Sequence, residues 1–335
     1  MSKDSSNSQF KIFQDVVSSI ILTDDHNIPS ELRFNKVRQM PIIRQTMESN
    51  VYMFPSIQSY DAYKNNNKEF CLNEDGVGIP LFTFEVCKFT EYNPDNSSEK
   101  IRYKIYIYIL KGVLETPPFD YECIIKSNDK FNIYKCLFCT ISKKLKWFSI
   151  IYNMSIKETT EKVYYIISKG LKLDVLMDDY IIRWNNTHKV LRDTGFKARI
   201  LPIETKSHFD SIKEFKTSTP YYNQALIKKK RDNTDNYVTE PQVYPFDTHG
   251  TKVLMTEPQK HFIGRYTTDG AGGFSNKVAI VYVGEYGSLN SFGITNIPFT
   301  TKLLACQALL LHRIEATRRM KRQNNYTNYA IGMMW

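Results

Sequence analysis

Clusters of lysine and arginine are the recurrent polar feature of this chain, and side chains of that type in groups bind polyanions. Lys143, Lys144 and Lys146 stand together at one expected hairpin, and Arg183, Lys189, Arg192, Lys197 and Arg199 follow around Trp184. Lys228–Arg231 and the run from Arg318 to Arg322 add two more groups. With 45 Lys+Arg against 35 Asp+Glu, the formal net charge is +10. That balance points to acidic lipid headgroups, nucleic acid or acidic proteins as partners. A basic side chain near an anionic leaflet gains roughly 1 kcal/mol. The competing reading is that these charges are scattered and simply solvate the surface. Lys228–Arg231 also has the look of a minimal nuclear-import patch.

Other residues with chemical potential lack supporting patterns. Cys136 and Cys139 form a single CxxC within an expected strand, where residues three apart face opposite sides unless the strand is bulged. No second CxxC or HxxxH accompanies them, so the six cysteines read as small apolar core residues. The six histidines, His26, His188, His208, His249, His261 and His312, show no metal-ligand spacing. Gly-x-Ser-x-Gly is absent. The loop Asp269–Phe274 is glycine-rich but leads into the strand-like run Val278–Val283, not into a helix whose N-terminus would take a phosphate. Asp24-Asp25 and Asp178-Asp179 read as turn residues. No catalytic residue, metal ligand or cofactor is therefore expected.

These groups must be positioned by a scaffold, and its clearest piece lies near the end. In the stretch Ile297–Arg322, Leu303–Cys306 and Ala308–Leu311 point in every direction on a 3.6-residue helix, interrupted only by Gln307. A helix apolar all round must be enclosed. The run is under half the roughly 20 residues needed to span a bilayer, so a plug in a protein core is expected, with Thr300 or Thr301 as N-cap. From Arg313 the helix turns cationic, which suits emergence into water at a helix C-terminus. No signal peptide and no membrane span are read in the sequence.

From about Leu81 the chain turns to short Ile-, Val-, Tyr- and Phe-rich runs with tight turns. Ile101–Leu110 alternates cleanly, with Ile101, Tyr103, Ile105, Ile107 and Ile109 on one face. Counting Leu81–Phe89, Phe119–Lys126, Phe131–Ile141, Lys146–Asn153, Lys162–Ser168, Leu171–Met177, Tyr180–Trp184, Phe196–Ile203, Thr251–Thr256, His261–Tyr266 and Val278–Val283, about a dozen strands are expected. A meander of that length removes its edges by closing into a barrel, and such a barrel is too wide for its own side chains to fill. The apolar helix fits that lumen. The expected fold is mainly β: a closed antiparallel barrel of roughly twelve strands around a C-terminal hydrophobic helix. Residues 1–50 are expected as an N-terminal extension with one helix over Ser30–Met40. The barrel domain spans 51–322 with a long insertion at 204–250 and its helix at 298–322, and 323–335 form a tail.

This order of elements, with the helix Phe299–Arg322 at its end, resembles the tubby and phospholipid-scramblase-like barrel superfamily. The resemblance covers about Leu81 to Arg322 and rests on element pattern, so no family residue is carried over. It implies association with membrane surfaces, through phosphoinositide binding or lipid scrambling. The expected function is non-enzymatic binding of anionic membrane lipid, or of a protein at that surface, with Lys143, Lys144, Lys146, Arg183, Lys189, Arg192, Lys197 and Arg199 as contacts. One alternative is a single-stranded nucleic-acid binder with Tyr106 and Tyr108 as stacking platforms. A second is an enzyme of unknown class on a barrel. The expected location is the cytoplasm, at a membrane periphery or free of it, with the nucleus as an alternative.

Overall fold

The computed structural model describes residues 36–44, 50–93, 96–146, 149–157, 162–177, 181–186, 195–201, 206–212, 263–268, 277–285 and 292–332. Its strands are β1 (Lys36–Arg44), β2 (Val51–Met53), β3 (Phe82–Asn93), β4 (Asn96–Gly112), β5 (Tyr121–Ser127), β6 (Phe131–Lys146), β7 (Ser149–Ile156), β8 (Val163–Lys169), β9 (Lys172–Leu176), β10 (Ile181–Asn186), β11 (Gly195–Ile200), β12 (Gly264–Thr267) and β13 (Lys277–Glu285). Helix α1 spans Ile57–Asn65 and helix α2 spans Phe299–Gly332. All pairings are antiparallel, in the order β4-β3-β2-β1-β13-β12-β11-β10-β9-β8-β7-β6, and β6 returns to β4 to close a twelve-stranded barrel. β5 is the extra strand outside it. β6 pairs with β7 over Cys139–Lys146 and with β5 over Asn132–Cys136, so β5 extends the sheet beyond the barrel.

Helix α2 fills the bore. It begins after Pro298, whose carbonyl accepts from the amide of Lys302 (3.1 Å). Gln307 is the one polar side chain between Leu303 and Leu311, and every residue of that segment is at most 2% exposed. The apolar ones share one core cluster with Met40, Ile105, Phe138, Ile166, Ile182, Phe196 and Val281, which line the inner face of the strands. Gln307 is fully enclosed, and its Oε1 accepts from Trp184 Nε1 at 3.0 Å. Trp184 is thus a core side chain tying the wall to the helix.

Of the helix expected over Ser30–Met40, the described part, Lys36–Met40, is corrected to a strand. Lys36–Arg44 pairs with β13 on one side and β2 on the other, so the barrel begins inside the segment assigned to an extension. Pro41 sits beside a register shift at Ile42/Ile43, the kind of irregularity at which a strand tolerates proline. Helix α1 and β2 are further elements that the sequence pattern does not announce. Ser56 caps α1 by accepting from the amide of Ser59 (3.0 Å). α2 runs on to Gly332 as continuous helix, through most of the segment expected as a tail. Thr301 does not cap it; its hydroxyl donates to Glu285 Oε1 (2.8 Å), which also accepts from Arg38 Nε (2.6 Å). The strand expected over Thr251–Thr256 lies outside the described residues.

A second, smaller core sits on the outer wall. Phe209 and Ile212, from a short 3-10 turn at Phe209–Ser211, pack on Ile151, Ile167 and Leu176. This strap lies within the expected insertion. Near the start of α2 the chain approaches itself closely: a Cβ on Gly293 would meet the carbonyl oxygen of Asp75 at 1.5 Å, which leaves room for no other residue.

Candidate anion-binding site at the mouth of the barrel

The strand directions define which charges can meet. β1, β3, β6, β8, β10 and β12 run toward the end from which α2 emerges. Arg318 of α2 donates to the carbonyl of Gly170 in the β8–β9 turn, and Arg319 Nη2 reaches Thr268 Oγ1 just after β12 (3.3 Å). Arg44 closes β1 at this end. The mouth therefore gathers basic residues far apart in sequence: Arg44, Lys143, Lys144, Lys169, Lys172, Arg313, Arg318 and Arg319.

Its two sides differ. On one side Arg318 Nη1 donates to Glu315 Oε1 (2.5 Å), so this guanidinium has its counter-ion. On the other side lie His312, Arg313 and Arg319 of α2, facing Tyr266 of β12, Arg44 of β1 and Tyr103 of β4. Tyr266 Oη and His312 Nδ1 are 2.9 Å apart. Burial holds the Tyr266 phenol well above its ordinary pKa, with Arg319 opposing and the Glu315 carboxylate adding to the rise, so the hydroxyl can donate to a neutral imidazole. The His312 pKa falls to about 4, first through burial and then through repulsion by Arg44, Arg319 and Arg313. Tyr103 is hydrogen-bonded to Arg313, and burial raises its pKa more than that guanidinium lowers it. Arg313 Nε is buried without an acceptor among the described residues.

The expected contacts scatter when placed on this frame. Lys143 and Lys144 are both exposed at the mouth. Lys143 stands opposite Tyr152, whose side chain belongs to the inner core, and Lys144 stands opposite Ile151 of the outer cluster. Adjacent strand residues face opposite sides, so only Lys143 is on the lumen side. Lys146 ends β6 opposite Ser149. Lys189 and Arg192 lie outside the described residues, as do Lys228–Arg231, the loop Asp269–Phe274 and the acidic pairs Asp24-Asp25 and Asp178-Asp179.

Arg183 is corrected from a surface contact to an internal prop. It is 5% exposed and bidentate to Asp174, through Nε (2.6 Å) and Nη2 (2.7 Å). Its Nη2 also donates to the Lys206 carbonyl (3.0 Å), and Asp174 accepts from the His208 amide (2.8 Å), so the pair fastens the strap. The hairpin register, Arg183 opposite Asp174, is the signal that could have shown this. Lys197 and Arg199 are half-buried on the outer wall. Burial, then Arg265, lowers the Lys197 pKa. The Asn185 amide, turned with its oxygen toward Arg199, accepts from both Nη2 (2.7 Å) and Nε (3.0 Å).

Tyr106 and Tyr108 do not stand as stacking platforms. They are 3% and 4% exposed; Lys135 Nζ covers the Tyr106 ring at 3.9 Å, and Tyr108 Oη bonds Thr83 Oγ1 (2.7 Å). Cys136 and Cys139 share the inner face, because a register shift at Ile105/Tyr106 sets them opposite Ile107 and Ile105. Both are buried, and no metal-ligand cluster occurs among the described residues. Nor is any helix there long and apolar enough to cross a membrane. Sequence reading singled out the cationic end of α2 but missed Arg44, Tyr103 and Tyr266, which reach it from three strands.

A family model, DIA1, matches residues 35–320, which takes in the whole barrel and the enclosed part of α2. The chain belongs to the DIA1 family. Among curated proteins it is similar to protein DIA1 of Saccharomyces cerevisiae, 27% identical over 315 residues, covering 91% of this chain and 86% of that relative. An uncharacterised protein of the same yeast is 28% identical over 304 residues, covering 87% and 90%. Another is 23% identical over 331 residues, covering 90% and 75%. No solved structure matches. The start of the DIA1 match at residue 35 agrees with β1 as the first barrel strand. The described mouth residues, from Arg44 to Arg319, all fall within the matched DIA1 region.

Proposed function

We propose that this DIA1-family protein is a non-enzymatic binding protein that engages anionic, phosphate-bearing lipid headgroups at a membrane surface through the basic mouth of its barrel. The observation that carries the reading is the convergence of Arg44, Lys143, Lys169, Lys172, Arg313 and Arg319 at one end of the barrel. A barrel around a hydrophobic helix is also what the tubby and scramblase-like resemblance rests on, and that resemblance suggests membrane-surface work. Burial of Tyr106 and Tyr108 weighs against stacking of single-stranded nucleic acid on those rings.

The test is co-sedimentation with phosphatidylcholine vesicles, with and without phosphatidylinositol bisphosphate. Binding is expected only with the anionic lipid and should weaken as salt rises. Lys143→Glu with Lys172→Glu should weaken it on the order of thirtyfold, at roughly 1 kcal/mol for each side chain. Equal binding of neutral vesicles, or indifference to salt and to both substitutions, would refute the reading. Displacement from vesicles by RNA but not by soluble headgroup would favour the nucleic-acid alternative.

A further inference from the structure

We propose that β5 pairs antiparallel with the β5 of a second copy of this chain, about a two-fold axis at Ile124, joining two barrels edge to edge. Among the described residues eleven large apolar side chains are exposed, and six of them fall between Val113 and Ile125. Leu114 and Phe119, on the loop that leads into β5, stand wholly in solvent, and Tyr121, Ile124 and Ile125 of the strand are exposed too. Apolar residues scattered singly on a surface need no explanation, whereas a cluster of this kind marks a contact. The strand also ends the sheet: β6 pairs with one of its edges, and no described strand pairs with the other. The outward amides and carbonyls of such an edge are a template for a further strand. Register shifts against β6, at Tyr121/Cys123 and Ile124/Lys126, add twist to the strand but do not cover that edge.

The occupant follows from the sequence of β5, which fits its own reverse. A two-fold axis perpendicular to the sheet sets one residue opposite itself in the second copy. With Ile124 at the axis, Glu122 faces Lys126, Cys123 faces Ile125 and Tyr121 faces Ser127. Both charges then meet their opposites, at two symmetric places, with apolar side chains between them. An axis at Cys123 would set Glu122 against Ile124, and an axis at Ile125 would set Lys126 against Ile124. Opposite charges across a strand pair attract and like charges repel, so the register centred on Ile124 is the favoured one. Glu122 bonds the Tyr106 phenol, and Lys126 reaches Glu69 (3.1 Å). A carboxylate keeps a second oxygen and an ammonium two more protons, so each group can add a partner. The strand rests on a firm base, since Tyr121 packs edge-on against Tyr134 with ring centroids 5.0 Å apart. A standard interface takes about 800 Å² from each partner, more than a strand of 7 residues provides, and Leu114 and Phe119 supply further apolar area. β5 pairs with the start of β6, which runs toward the mouth, so the interface lies at the opposite end and leaves the basic mouth open.

The test is sedimentation velocity of the full chain over a series of concentrations, where a reversible dimer is expected. Ile124→Asp, at the exposed centre of the strand, should weaken the dimer about a hundredfold, because it buries two carboxylates face to face. Glu122→Lys sets like charges opposite each other at two places and should weaken it about tenfold. Adding Lys126→Glu to that variant restores opposite charge at both places and should bring the dimer back, a recovery that a folding defect would not give. Cys123 of the two copies are diagonal neighbours in this register, about 7–8 Å apart. A short bis-maleimide should therefore link the copies, and Cys123→Ser should abolish the link. A monomer at every concentration would overturn the proposal. So would a dimer indifferent to Ile124→Asp, or one that the paired charge change fails to restore.

Discussion

Glu285→Ala is expected to lower the unfolding free energy by about 3–5 kcal/mol, the usual cost of breaking a buried ion pair from one side. Arg38 and Glu285 have side chains 6% and 1% exposed, with Nε and Oε1 at 2.6 Å. Removing the carboxylate takes from the buried guanidinium the oxygen that accepts from its Nε, with Nη1 still donating to the Pro55 carbonyl (3.1 Å), and it also takes the acceptor from the Thr301 hydroxyl. The pair thus joins the first strand, the last strand and the start of α2. Urea denaturation measures the loss directly. The double change Arg38→Met with Glu285→Leu should recover most of it, since apolar side chains of similar volume often replace a buried pair at little cost. A single-variant loss below about 1 kcal/mol would show that water reaches the pair.

Acid should destabilise the protein through His312. Its folded pKa of about 4 lies below the ordinary value of 6.5, so the unfolded chain binds the proton more readily. Stability from this group is whole above pH 6.5 and is lost as pH falls toward 4, by roughly 3 kcal/mol in all. Carboxylates titrate in the lower part of that window too. The comparison is therefore with His312→Gln, which keeps a polar side chain beside Tyr266 but cannot titrate. The difference in stability between the two proteins should slope between pH 6.5 and 4 and be flat above it. Parallel pH profiles would mean that the imidazole is solvated and that the arginines do not press on it.

Part of this architecture is a local property of the chain. A run such as Leu303–Leu311, apolar around the whole helix, has to be enclosed whatever surrounds it, and the alternation in Ile101–Leu110 assigns an inner and an outer face without reference to a partner. A dozen such strands and one such helix suffice to infer a closed barrel with its plug. The misreadings occur where local signals are weak or mixed. Lys36–Arg44 carries no clean period, and Pro41 reads as a helix stop, yet pairing on both sides makes it a strand. The doubled apolar facing of Cys136 and Cys139 depends on a bulge that no composition reveals.

The candidate site belongs almost wholly to the second category. A cationic sequence cluster says nothing about which side chains meet, because strand neighbours diverge and sheet partners arrive from far away. Arg183 looks like a surface charge until the hairpin sets Asp174 opposite it and the strap covers both. Lys143 and Lys144 are adjacent and face apart, whereas Arg44 and Arg313 are 269 positions apart by number (313 minus 44) and act on one imidazole. By itself, then, the sequence determined that a barrel forms around a helix, since burial of apolar surface is written into each segment. Where the charges gather was decided only by barrel closure and strand direction, because electrostatics depends on distance in space and not on distance along the chain.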